Sequence, residues 1–174
     1  VNFLVNLHIG VDDADVQCLK VDPPDVAYRD ALFEIKEIMD PGRRRHDEVK
    51  AAQRHVDANG GKAETVMYTA EDLTPSDVAT LVLAELDRLD QKHYLHDQRA
   101  KIDLLFYVNK LEHWFEDGPM PDPKQFDDHG WRSVSAVVDT QQSMVFSARP
   151  DAPDFLVENI GVVRKRWEPL GDED

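Results

Sequence analysis

Pro24-Asp25-Val26-Ala27-Tyr28-Arg29-Asp30-Ala31-Leu32-Phe33-Glu34-Ile35-Lys36-Glu37 is the stretch that decides the fold. It reads as two short strands joined by a tight turn at Arg29-Asp30. Strand side chains alternate, so Glu34 and Lys36 share a face and Glu37 points to the other. A two-residue turn sets position 25 against position 34, with Cα atoms roughly 4.5–5.5 Å apart. Two carboxylates at that separation repel unless a positive charge lies between them. A divalent cation meets that need, because hard cations take carboxylate oxygens. Lys36 beside it would polarise a water or neutralise charge developing on a phosphorus centre. The plain structural alternative stays open here. Asp-Pro-Pro-Asp is an ordinary turn and Glu-Ile-Lys an ordinary edge strand.

Pro24-Asp25, eight residues, then Glu34-Ile35-Lys36 resembles the PD-(D/E)xK signature of the restriction-endonuclease-like superfamily. The wider run from Asp22 through Arg43-Arg44-Arg45-His46-Asp47-Glu48 also resembles a bacterial family of endonuclease-like proteins. The resemblance covers roughly residues 22–50, and the signature itself is short and degenerate. It implies an α/β fold with a mixed sheet flanked by helices, restriction-endonuclease-like. It further implies Mg²⁺ (or Mn²⁺) held by Asp25, Glu34 and the backbone carbonyl of Ile35, with Lys36 serving the attacking water. The substrate it implies is a nucleic acid, DNA in preference to RNA. Many superfamily members carry a Glu on the helix before the hairpin, and residues 1–10 contain no acid. That leaves three readings: the ligand is dispensable, the chain begins too late, or the site has lost activity.

Composition constrains the rest. The 174 residues predict one domain, 1–170, followed by an acidic mobile tail at 171–174. Apolar residues form 41% of the chain and no stretch has the length and polarity of a membrane span. A single cysteine, Cys18, excludes an internal disulfide framework, fits a cytoplasmic setting and reads as a small core residue. Twenty Lys and Arg against 35 Asp and Glu give a net charge of −15. Proteins that grip a polyanion through its phosphates usually show the opposite sign, although fields are local. The acidity supports a second reading, in which the nuclease fold is kept without turnover and serves as a binding or regulatory protein.

Along the chain, Phe3, Leu4 and Leu7 form a helical stripe that reads as cut short at its start, with Gly10 at the position of a C-cap. Asp15 to Val21 predicts a strand ended by Pro23-Pro24, and Ala31 to Ile38 the second strand of the hairpin. Asp40-Pro41-Gly42 is a helix-start pattern, for a helix reaching about His55. Arg43, Arg44 and Arg45 then crowd the positive end of that helix, which makes sense if a phosphate binds there or if nearby acids pair with them. Thr74-Pro75-Ser76-Asp77 opens a second helix toward Tyr94, with Val78, Val82, Leu86 and Leu89 inward. Ile102 to Asn109 reads as a central strand covered on both sides. Glu116 to Gly130, with three prolines and two glycines, reads as a surface loop. Trp131–Val138 and Met144–Ser147 predict a hairpin, and Pro153 a last helix to Ile160. His93, His96 and Asp97 read as an exposed helix end, and His113 and His129 as isolated. The chain has no Walker or Rossmann phosphate loop and no Gly-x-Ser-x-Gly elbow.

Overall fold

The computed structural model describes residues 1–20, 22–43, 50, 54, 70–91, 94–111 and 113–167. Nine strands and four α-helices are described: α1 (Asn2–Asn6), β1 (Val16–Cys18), β2 (Val26–Tyr28), β3 (Ala31–Met39), β4 (Glu71–Leu73), α2 (Pro75–Asp90), α3 (His96–Arg99), β5 (Asp103–Asn109), β6 (His113–Phe115), β7 (Ser133–Val138), β8 (Gln142–Ala148), α4 (Asp154–Val157) and β9 (Val163–Lys165). Seven strands form one mixed sheet in the order β1-β2-β3-β5-β7-β8-β9. Its middle, β3-β5-β7, is parallel, and both flanks are antiparallel. The α/β class with a large mixed sheet flanked by helices is therefore the observed architecture.

Alternation along each strand builds two cores. Leu104, Phe106 and Val108 of β5 pack under α2 with Val78, Val82, Leu86 and Leu89. Leu105 of β5 faces the opposite side, with Phe3, Leu4 and Leu7 of α1 and Leu156 of α4. Each large side chain buried in these layers stabilises by roughly 1.5–3 kcal/mol. The long α2 starts where its sequence says. Thr74 accepts from the Asp77 amide and Asp77 accepts from the Thr74 amide, a reciprocal cap. Glu34 and Lys36 are in phase with Ile38, which packs in the α2 layer. Their face of β3 is thus the one that α2 and the segment after it cover.

Several expectations are corrected. The first helix ends at Asn6, and the left-handed residue after it is His8 (φ 58°), not Gly10. Cys18 is exposed, because β1 is the edge of the sheet and alternation turns that position outward. Pro41 does not begin a helix: Gly42 is left-handed (φ 84°) and the Arg43 amide donates to the Asp40 carbonyl, closing a turn. The remainder of that expected helix lies largely outside the described residues, as does the acidic tail. The second helix stops at Asp90, before Tyr94. The proline-rich loop contains a 3-10 helix, Pro123–His129, whose buried Phe126 stacks on Phe146 at 4.8 Å. The last helix ends at Val157. Strands β4, β6 and β9, three residues each, were too short to give a periodic signal. No helix among the described residues is long and apolar enough to cross a membrane.

Candidate metal centre

The hairpin register follows from its turn. Tyr28 pairs with Ala31, Ala27 with Leu32 and Val26 with Phe33, around a two-residue loop whose first residue, Arg29, has φ 52°. Asp25 lies one step beyond the last pair. Its amide donates to the Phe33 carbonyl (2.9 Å), and its carbonyl accepts from the Leu19 amide (2.8 Å). Continued by one step, that register sets Asp25 against Glu34, and the Asp25 Oδ2 accepts from the Ile35 amide at 2.8 Å. The carboxylates meet. Asp22, Asp25 and Glu34 each offer an oxygen within 4.8 Å of the other two. Ile35 thus enters the cluster through its backbone, and its side chain points to the opposite face, partly exposed.

Glu34 is fully buried. Its Oε1 accepts from Tyr94 Oη at 2.8 Å and from Lys36 Nζ in a close ion pair. Its Oε2 is buried without a hydrogen-bond partner among the described residues. An orphaned buried carboxylate oxygen is costly, on the order of 1–3 kcal/mol or more. Oxygen donors from three acids, one of them unsatisfied, fit a hard divalent cation. Burial works against the charge on Lys36, but its hydrogen bonds with Glu34 and Tyr94 prevail and raise its pKa above the ordinary lysine range. Burial also raises the pKa of Tyr94. The Tyr94 ring lies 5.7 Å from Lys36 Nζ and packs edge-on against Trp131 (5.2 Å). Sequence reasoning assigned no role to Asp22 or Tyr94. Asp22 sat within the quoted Asp-Pro-Pro-Asp run. Tyr94 is 60 positions from Glu34 and carries no local signal.

The arginine run behaves differently. Arg43 Nη1 donates to Asp40 Oδ2 (2.9 Å) and to the Asn109 carbonyl (2.8 Å). Asp40 follows the end of β3, roughly 20 Å along the strand from Glu34. Arg43 is thus not brought to the carboxylates, and Arg44 and Arg45 lie outside the described residues. Burial opposes the charge on Asp40, yet the Leu111 amide, Arg43 and Lys110 outweigh it and lower its pKa to about 2. A second acidic group, Asp87, Asp90 and His129, also has its oxygens and ring nitrogen close together. Here Asp90 is satisfied: Oδ1 pairs with Arg99 and Oδ2 lies 2.7 Å from His129 Nδ1. His129 is therefore partnered, contrary to its isolated look in sequence. This group staples the end of α2 to the 3-10 helix.

A family model described as "Putative endonuclease, protein of unknown function (DUF1780)" matches residues 1–166. No match was found among curated proteins. Among solved structures, a protein of unknown function from Pseudomonas aeruginosa strain PAO1, described as of the monooxygenase superfamily, is similar. Its TM-score is 0.69 at 21% identity, covering 94% of this chain and 77% of that one. At that identity the likeness speaks for the fold alone.

Proposed function

The chain belongs to this DUF1780 family, and on that premise we propose that it hydrolyses phosphodiester bonds of nucleic acid with a divalent metal, through a PD-(D/E)xK-type site. The observation that carries this reading is the buried Glu34, whose Oε2 has no partner among the described residues, beside the carboxylates of Asp22 and Asp25. Asp25 and Glu34, with the Ile35 carbonyl, would hold Mg²⁺ or Mn²⁺. The metal would supply Lewis acidity and a more acidic water. Asp25 is fixed for its part by two backbone hydrogen bonds, with Phe33 and Leu19, and by the Ile35 amide donating to its Oδ2. Lys36 keeps an ammonium at the cluster, where it orients water and offsets charge growing on the phosphoryl oxygens. Tyr94 donates to the same Glu34 oxygen as Lys36 and helps to position the carboxylate. Arg44 and Arg45 are proposed to hold the flanking phosphate, whereas Arg43 is committed to Asp40 and Asn109. DNA is the first substrate to assay, then RNA.

The test is cleavage of labelled DNA and RNA in Mg²⁺ or Mn²⁺. Asp25→Ala and Lys36→Ala are expected to abolish metal-dependent cleavage with the circular dichroism spectrum unchanged. Cleavage that survives both substitutions removes these residues from the mechanism. The net charge of −15 favours a second reading, a nuclease-fold binding or regulatory protein without turnover. Tight metal binding with no cleavage of any nucleic acid would select it.

A further inference from the structure

We propose that Asp22, carried on the Pro23-Pro24 turn, is the third carboxylate ligand of the cation site. The inference rests on the metal-site reading above and adds a ligand to it. Asp22 offers an oxygen within 4.8 Å of both Asp25 and Glu34. That spacing suits a shared cation with oxygens at roughly 2.3–2.6 Å on either side, and a modest closing suits a smaller one. Independently, Glu34 is fully buried and, although Lys36 pairs with its Oε1, its Oε2 has no hydrogen-bond partner among the described residues.

Formal charge points the same way. Asp22, Asp25 and Glu34 contribute three negative charges and Lys36 one positive, a difference of two, which a divalent cation cancels. With Asp25 and Glu34 alone, Lys36 would leave a single negative charge, and the bound site would be positive. Asp22 also differs from its partners in exposure. It is exposed, Asp25 half-buried and Glu34 buried. The three acids thus grade from solvent to the interior, with Asp22 as the outermost ligand, first met by an entering cation. A phosphate approaching the metal-free cluster meets a net negative charge. Nucleic acid therefore engages this site after the cation, and Asp22 strengthens that order.

The test is Mn²⁺ titration of the intact chain, with free Mn²⁺ followed by electron paramagnetic resonance. Asp22→Asn is expected to weaken binding by at least about tenfold, because affinity at such sites follows ligand charge and number. Asp22→Ser should do the same. Asp151→Asn, a surface acid paired with Arg149, should leave binding unchanged. Without metal, Asp22→Asn should melt no lower than wild type, since it removes like-charge repulsion. If Asp22→Asn binds Mn²⁺ as wild type does while Asp25→Asn is weakened, Asp22 is no ligand and the two-carboxylate site stands. Equal weakening by Asp22→Asn and Asp151→Asn would reduce the effect to overall charge and overturn the proposal. If wild type binds no Mn²⁺, the metal-site reading falls together with it.

Discussion

Glu34 and Asp103 are both fully buried acids, on the neighbouring strands β3 and β5, and their surroundings are opposite in kind. Every oxygen of Asp103 is met. Oδ1 accepts from Ser133 Oγ (2.9 Å) and Arg132 Nε (3.0 Å); Oδ2 accepts from the Leu32 amide (2.9 Å) and Arg132 Nη2. Glu34 has one oxygen that accepts two hydrogen bonds and another with no partner among the described residues, with two further acids close by. Burial of charge is tolerated where geometry and hydrogen bonds compensate it. Asp103 is compensated within the chain, so it serves the fold by tying β3, β5 and β7 together. Glu34 is compensated only in part, and the deficit is what a ligand would fill.

The largest effect expected from this contrast is on Asp103. Asp103→Asn strands Arg132 and should cost about 3–5 kcal/mol in urea unfolding. A loss under about 1 kcal/mol would erase the distinction between the two acids. Glu34→Gln keeps an acceptor for Tyr94 but takes the carboxylate from Lys36, a loss offset in part by relief of the unsatisfied buried oxygen. Its metal-free stability should fall by less than that of Asp103→Asn, because Lys36 is the more exposed partner, while its response to divalent metal disappears.

Asp40 sharpens the contrast as a second satisfied acid, nearer the surface. Its folded pKa is depressed to about 2, so its stabilisation is present above the ordinary carboxylate value and fades as pH falls toward 2. Asp40→Asn should therefore cost roughly 1–2 kcal/mol at pH 7, and the gap to wild type should narrow by pH 3. The smallest effect calibrates the others at a site remote from both buried acids. Thr74→Ala removes one half of the α2 cap and should cost about 1 kcal/mol, read from thermal melts without metal.

The hairpin was legible because its signals are local. A two-residue turn fixes the register, and alternation puts Glu34 and Lys36 on one face. The start of α2 was legible for the same reason, through Thr74, Pro75 and Asp77. The strand after α2 was legible as a long apolar run. What escaped depends on distance or on brevity. Tyr94 reaches Glu34 only after α2 has packed, and nothing around position 94 announces it. Asp22 looked like half of a turn, and its role depends on where the segment folds relative to β3. Cys18 was misjudged because an apolar-leaning run does not reveal whether its strand lies at an edge. Asp40 was misread as a helix cap because Asp-Pro-Gly also encodes a turn, and the partners that hold it, Lys110 and Leu111, come from the end of β5.

The most direct test is the melting temperature of the intact chain as Mn²⁺ or Mg²⁺ is raised to millimolar concentration, in wild type and in Glu34→Gln. A cation that binds only the folded state stabilises it by about 2.7 kcal/mol at a hundred times its dissociation constant. Wild type should therefore melt progressively higher as metal is added, and Glu34→Gln should not respond. A wild-type melting temperature that ignores the metal, or a Glu34→Gln variant that responds equally, contradicts the cation site.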